Sequence, residues 1–217
     1  MGILDWLFQR PQFKRFDDSY ALIRESLWNA LQRTVNSEQH ALKSIWLVTH
    51  FTDTFTTLQD RLDSWGREYD VVAAPIDANA LERSNLLSPS SFKLVLAEMI
   101  PDAFPNMLEV NRDQTIAMIV LERHPHPKYD DRIVEFAKSL PCLVEFGHYL
   151  SLDDEVVKTV ISETTLTILK QLGMDEHELI TTSMVSRRMN VTLGRNAEEY
   201  SGDQPADSAK EWLELNS

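Results

Sequence analysis

Between Ser44 and Phe146 five short apolar, β-rich runs alternate with helix-patterned stretches, and this alternation restricts the chain to few architectures. The runs are Ser44–Thr49, Tyr69–Ala74, Ser91–Ala97, Gln114–Leu121 and Pro141–Phe146. The segments between them predict helices over Thr52–Trp65, stopped by Gly66, over Asp77–Leu87, and over Pro127–Leu140, with Pro127 opening the last. Runs that are apolar throughout, rather than alternating, belong to strands covered on both faces. The expected fold is therefore α/β, a three-layer domain around a mostly parallel sheet with right-handed crossovers. Ahead of it, Leu22, Ile23, Leu27, Leu31 and Val35 recur at helical spacing and predict a helix over Ser19–Val35 with Ser19 as its N-cap.

After Asp153 the pattern turns helical, with helices expected over Val156–Leu172, ending at Gly173, and over Glu176–Leu193. The organisation read from the sequence is an N-terminal segment (1–18), the α/β domain (19–152), C-terminal helices (153–195) and an acidic tail (196–217). The first half of the tail, with Gly202 and Pro205, reads as a mobile linker. Ala209–Leu215 reads as a short docking helix carrying Trp212, Leu213 and Leu215.

Composition excludes several function classes. Only 6 of 217 residues are glycine, where ordinary usage of about 7% gives about 15. No two glycines are closer than eight positions, so neither a P-loop nor a dinucleotide-binding glycine motif can be drawn. With 34 acids against 21 bases, a net charge of −13, association with nucleic acid is disfavoured. The single cysteine, Cys142, rules out an intramolecular disulfide framework and reads as a buried, inert thiol in a reducing, cytoplasmic setting. The opening Met1–Phe8 is too short to span a bilayer and lacks a signal-peptide cleavage site; it is expected to dock on the core or a partner, with an interfacial helix as the alternative.

Three stretches carry a resemblance. Ile45–Thr49 through Gly66-Arg-Glu-Tyr-Asp-Val-Val72 has the form strand, helix, G-x-x-[YH]-x-V strand. Glu122-Arg-His124, Asp130 and Tyr149-Leu-Ser-Leu-Asp-Asp154 keep the register of E-R-H-x-S-R-R-I-D through F-L-S-L-E-D-D. Leu172-Gly-Met-Asp-Glu176, Met184-Val-Ser-Arg187 and Arg195-Asn196 resemble L-G-M-x-E, M-V-[ST]-[KR] and R-N. Together they resemble the second nucleotide-binding domain of the SecA preprotein translocase and the start of its helical scaffold. That resemblance implies a RecA-like fold and places the residual family positions at Glu122, Arg123, His124 and Asp130.

The ATP-facing part of the resemblance is missing. The three arginines of the family's Q-L-R-G-R-x-G-R are Val134, Phe136 and Ser139 here, and its glycines are Glu135 and Lys138. Where the family carries A-G-R-G-T-D, the chain has Ile100-Pro-Asp-Ala-Phe-Pro105, and Asp102 in place of arginine would repel a phosphate. Arginines of this kind supply about 10³ to 10⁵ in rate, and neither valine nor phenylalanine replaces them.

The resemblance thus implies a non-catalytic, SecA-like interaction or regulatory module linked to protein export. No cofactor or metal is expected. Its partner would be a secretion component or a second copy of the chain, with a membrane surface the weaker candidate. The interaction candidates are Trp6, Phe8, Val134, Phe136 and Trp212. One alternative is the RecA-like half of a transport ATPase that works with a separate P-loop partner. The other is a metal-dependent enzyme built on Glu122, His124 and His126, with Asp130, Asp131 and His148 nearby.

Overall fold

In the computed structural model the described residues are 13–37, 43–76, 92–102, 114–140, 142–162, 164, 166–168 and 179–216. The strands are β1 (Phe13–Arg15), β2 (Ser19–Ala21), β3 (Ser44–Thr49), β4 (Tyr69–Val72), β5 (Phe92–Leu96), β6 (Thr115–Val120), β7 (Leu143–Ser151) and β8 (Ile180–Thr181). The helices are α1 (Arg24–Asn36), α2 (Thr52–Ser64), α3 (Pro127–Ser139), α4 (Glu155–Lys158), α5 (Ser183–Glu199) and α6 (Ala209–Asn216). The strands form one sheet in the order β4-β5-β3-β6-β7-β2-β8, and β1 lies beside β2 on the same edge of β7. Every pairing is parallel except β2 with β8.

The period-2 alternation of the central strands sorts the core into two layers. On one face Trp46, Val48, Ile116, Met118 and Val120 pack against Ile133, Phe136, Ala137 and Leu140 of and beyond α3. On the other, Ile45, Leu47, Ala117 and Ile119 pack against Trp28 and Leu31 of α1 and Leu58 and Leu62 of α2. The fold is α/β, a mostly parallel central sheet flanked by helices. At the end of α2, Gly66 adopts φ 65°. The amides of Gly66 and Arg67 donate to Asp63 and Leu62 carbonyls, which ends the helix where the sequence placed the stop.

Three expectations need correction. Ser19 does not cap a helix: Ser19–Ala21 pairs with Tyr149–Ser151, burying Tyr20 and Ala21 completely, so ladder pairing overrides the helical pattern. Helix α1 then starts at Arg24, whose amide donates to Asp153 Oδ2 (3.1 Å), a carboxylate supplied from 129 positions away. Residues 13–18, assigned to a separate N-terminal segment, include β1 and so belong to the sheet. The last long helix begins at Ser183, not Glu176, because Ile180 and Thr181 are drawn into the sheet against β2. The expected Asp77–Leu87 helix, most of Val156–Leu172, and Trp6 and Phe8 lie outside the described residues. Among the described residues no helix is long and apolar enough to cross a membrane.

Candidate functional site

Connections from β3 lead toward the β4 edge and those from β6 toward the β7 edge, so the chain reverses direction across the sheet between these neighbours. In open α/β sheets ligands enter the crevice at the carboxyl ends of such a strand pair. Here that crevice receives His50 and Phe51 after β3 and Glu122, Arg123 and His124 after β6, all but His50 buried as whole residues, with the His50 side chain itself 1% exposed.

A helix N-terminus at this position presents unpaired amides, the usual seat of a phosphate. The Glu122 carboxylate occupies it. Its Oε1 accepts the amides of His50 (2.9 Å) and Phe51 (3.1 Å), and its Oε2 accepts the Thr54 hydroxyl (2.7 Å). The first turn of α2 is filled from the far end of the chain: the Asp53 amide donates to the Asp207 carbonyl (3.1 Å), and the Thr52 hydroxyl to Asp207 Oδ1 (2.6 Å). Glu122 thus satisfies the two amides that lead into α2 and sets a carboxylate at its positive dipole end, while the Asp53 amide inside the helix is satisfied by a backbone carbonyl.

Arg123 holds the neighbouring network. Its guanidinium donates to Asp18 Oδ2 (2.6 Å) and Asp130 Oδ2 (3.1 Å), His50 Nε2 lies 2.7 Å from Asp130 Oδ1, and His148 Nδ1 lies 3.1 Å from Asp18 Oδ1. Burial alone would push the Asp18 carboxyl up. The hydrogen bond from His148 and the Arg123 charge reverse this and hold it well below the usual carboxylate range. Asp130 is likewise held down against burial by Arg123 and His50. Burial, reinforced by Arg123, lowers His148. On the other side of Glu122, Asp154 bonds Arg24 (2.8 Å) and accepts the Ser151 amide, yet burial pushes its carboxyl up to about 7, with Glu122 and Asp153 adding to the rise.

His124 fills an aromatic box. Phe51 stacks on its ring at 5.2 Å, Tyr129 lies at 3.9 Å and the edge-on Trp212 indole at 4.9 Å. Its Nδ1 accepts the His126 amide (3.0 Å), and burial, with the adjacent His50, lowers it to about 2, so the ring is neutral. Trp212 arrives on α6 at the end of a strap, 200–216, laid over the crevice. Asp203 of the strap bonds Tyr129 and Lys128. Ser208 Oγ accepts the Glu211 amide (3.2 Å) at the start of α6, while Glu211 accepts the Asp207 amide (2.8 Å). Asn216 bonds Gln204 through both amide atoms, and a Cβ at Gly202 would lie 2.5 Å from Asn216 Oδ1. Beside the strap remains an open pocket of about 300 Å³ lined by Arg24, Thr54, Glu122, Asp153, Asp154 and Lys210, among others.

The structure therefore brings Glu122, Arg123, His124 and Asp130 together, but as three separate duties rather than one ligand set. Glu122 faces the start of α2, Arg123 and Asp130 pair, and His124 fills the aromatic box, while His126 apart from them caps α3 by accepting the Lys128 amide. Among the described residues no three histidine, cysteine, aspartate or glutamate side chains converge on a metal position. Val134 and Phe136 are not surface candidates: α3 turns them into the core, where Phe136 packs 6.0 Å from Trp46. Trp212 is also buried, on its own chain's crevice. The stretch 200–208 is laid on the domain and 196–199 belongs to α5, in place of the expected mobile linker. Asp18, His50 and Arg24 were missed by sequence reading; the position of His50 directly after a buried strand was the available signal.

No protein-family model matches the chain, and no curated protein matches it.

Proposed function

We propose that the chain is a non-catalytic domain of RecA-like kind, resembling the second nucleotide-binding domain of SecA, that works as a protein-interaction or regulatory module linked to protein export. One observation carries this reading. The crevice where an α/β domain would hold a nucleotide is occupied by Glu122, on the His50 and Phe51 amides that lead into α2 and on the Thr54 hydroxyl, and is partly covered by the Trp212 strap. A nucleotide phosphate approaching the start of α2 would meet a carboxylate already hydrogen-bonded to the amides just ahead of the helix, with Asp207 beside it. Two of the three positions that match the family's ATP-facing arginines, Val134 and Phe136, are core residues, and the third is the exposed Ser139. Removing the catalytic groups while keeping the apolar framework leaves a scaffold whose remaining use is binding.

Cys142 is buried, and burial pushes its thiol up to about 11, in keeping with an inert side chain. The reading is tested by measuring phosphate release from Mg-ATP by the full chain, alone and with a secretion ATPase. No turnover attributable to the chain is expected. Turnover that disappears in Arg123→Ala would overturn the reading.

A further inference from the structure

Helix α5 buries Val185, Met189, Leu193 and Asn196 against the domain. Its opposite face carries Met184, Arg187, Arg188, Val191 and Arg195, all exposed. Met184 and Val191 are 42% and 52% exposed and seven residues apart, about 10 Å along one stripe. Arg187 and Arg195 form no ion pair among the described residues. The chain carries 34 acids and 21 bases, yet α5 reverses that sign until its last turn, with three arginines before Glu198 and Glu199. This layout also opposes the helix dipole, which favours acids in the first turn and bases in the last; α5 has neither. Folding alone gives no reason for such a pattern. Beside the stripe runs a groove of about 710 Å³ between Asp17 and α5, lined by Thr182, Ser183, Arg187, Asn190 and Val191.

We infer that the outer face of α5 is the docking surface for an acidic amphipathic helix of a partner protein. Such a helix, about three turns long, seats apolar side chains seven residues apart on Met184 and Val191 and sets carboxylates against Arg187 and Arg195. The basic stripe is short and bounded by Asp17 in the groove wall and by Glu198 and Glu199 at the helix end. An extended polyanion, whether an anionic bilayer or nucleic acid, would meet those acids and the net charge of −13. A short acidic segment meets only the arginines. This inference names the partner chemistry of the interaction module proposed above and rests on that reading.

The test pans a displayed library of random 16-residue segments on the immobilised full chain, with counter-panning on Arg187→Glu/Arg195→Glu. Enriched segments are expected to be acidic with apolar residues at i and i+7. Their synthetic peptides should bind the charge-reversed chain at least tenfold more weakly, and should lose affinity between 50 and 300 mM salt. Met184→Ala/Val191→Ala should weaken them as well, with the melting temperature of both variants unchanged because all four side chains are exposed. Peptides that bind wild type and both variants equally, or enrichment without acidic segments, would overturn the inference. So would arginine-dependent flotation with phosphatidylserine vesicles in the absence of peptide binding. Mg-ATP titrated into the same preparation separates the two readings: nucleotide binding there removes the non-catalytic reading and leaves the α5 result standing.

Discussion

Trp212→Ala removes the side chain that seals the crevice. The indole is 2% exposed and meets His124 at 4.9 Å and Tyr200 at 5.7 Å, so truncation deletes nearly its whole contact surface. Truncating a buried tryptophan costs about 3–5 kcal/mol. The strap's remaining anchors include the Thr52–Asp207 hydrogen bond and the Lys128–Asp203 pair, both exposed and worth about 1 kcal/mol or less each. The loss therefore falls on the strap, which opens as a local unit, while the sheet core keeps its packing. At about 1.4 kcal/mol per tenfold, protection of the Asp53 amide, which donates to Asp207, should drop by about two to three and a half orders of magnitude in native-state hydrogen exchange. Amides of Val48 and Val120 in the central strands should be unchanged. Equal Asp53 protection in wild type and variant, or a uniform loss across the strands, would refute the reasoning that the strap is a separate closure held by Trp212.

Arg123→Met leaves Asp18 and Asp130 buried without their cation and is expected to cost about 3–5 kcal/mol at pH 7, measured by urea denaturation. Because both carboxyls are held below the ordinary 3.8, their stabilisation is present above that value and lost as pH falls below it, so the deficit of the variant should shrink in acid. His124→Phe keeps the aromatic box but drops the acceptor for the His126 amide, a loss of about 1 kcal/mol at pH 7. The folded ring titrates near 2 and a free one near 6.5, so wild type loses stability as pH falls below 6.5; melts at pH 7 and 5 should show the variant gaining on wild type by up to about 1.4 kcal/mol per pH unit. Asp154 runs the opposite way: raised to about 7, it makes the fold less stable as pH climbs from 3.8 to 7, and Asp154→Asn should flatten that decline in a pH series of melts.

The central strands β3, β5 and β6 were legible because burial on both faces leaves one signature, and the Ser44–Thr49 run coincides with β3 end to end. Ser19–Ala21 was not, since its partner strand β7 lies about 130 residues away and no local pattern reports it. Sequence motifs located Glu122, Arg123, His124 and Asp130, but their partners come from afar: Asp18 lies 105 positions from Arg123 and 130 from His148. Val134 and Phe136 teach the opposite lesson. The spacing of Ile133, Phe136, Ala137 and Leu140 already described a buried helical face, which outweighs positions aligned to a nucleotide-facing loop.

The filled crevice is tested most directly by isothermal titration calorimetry of Mg-ATP into the full chain, with Arg123→Ala as the control. The expected result is no binding heat at millimolar nucleotide. Micromolar affinity in wild type would contradict the account.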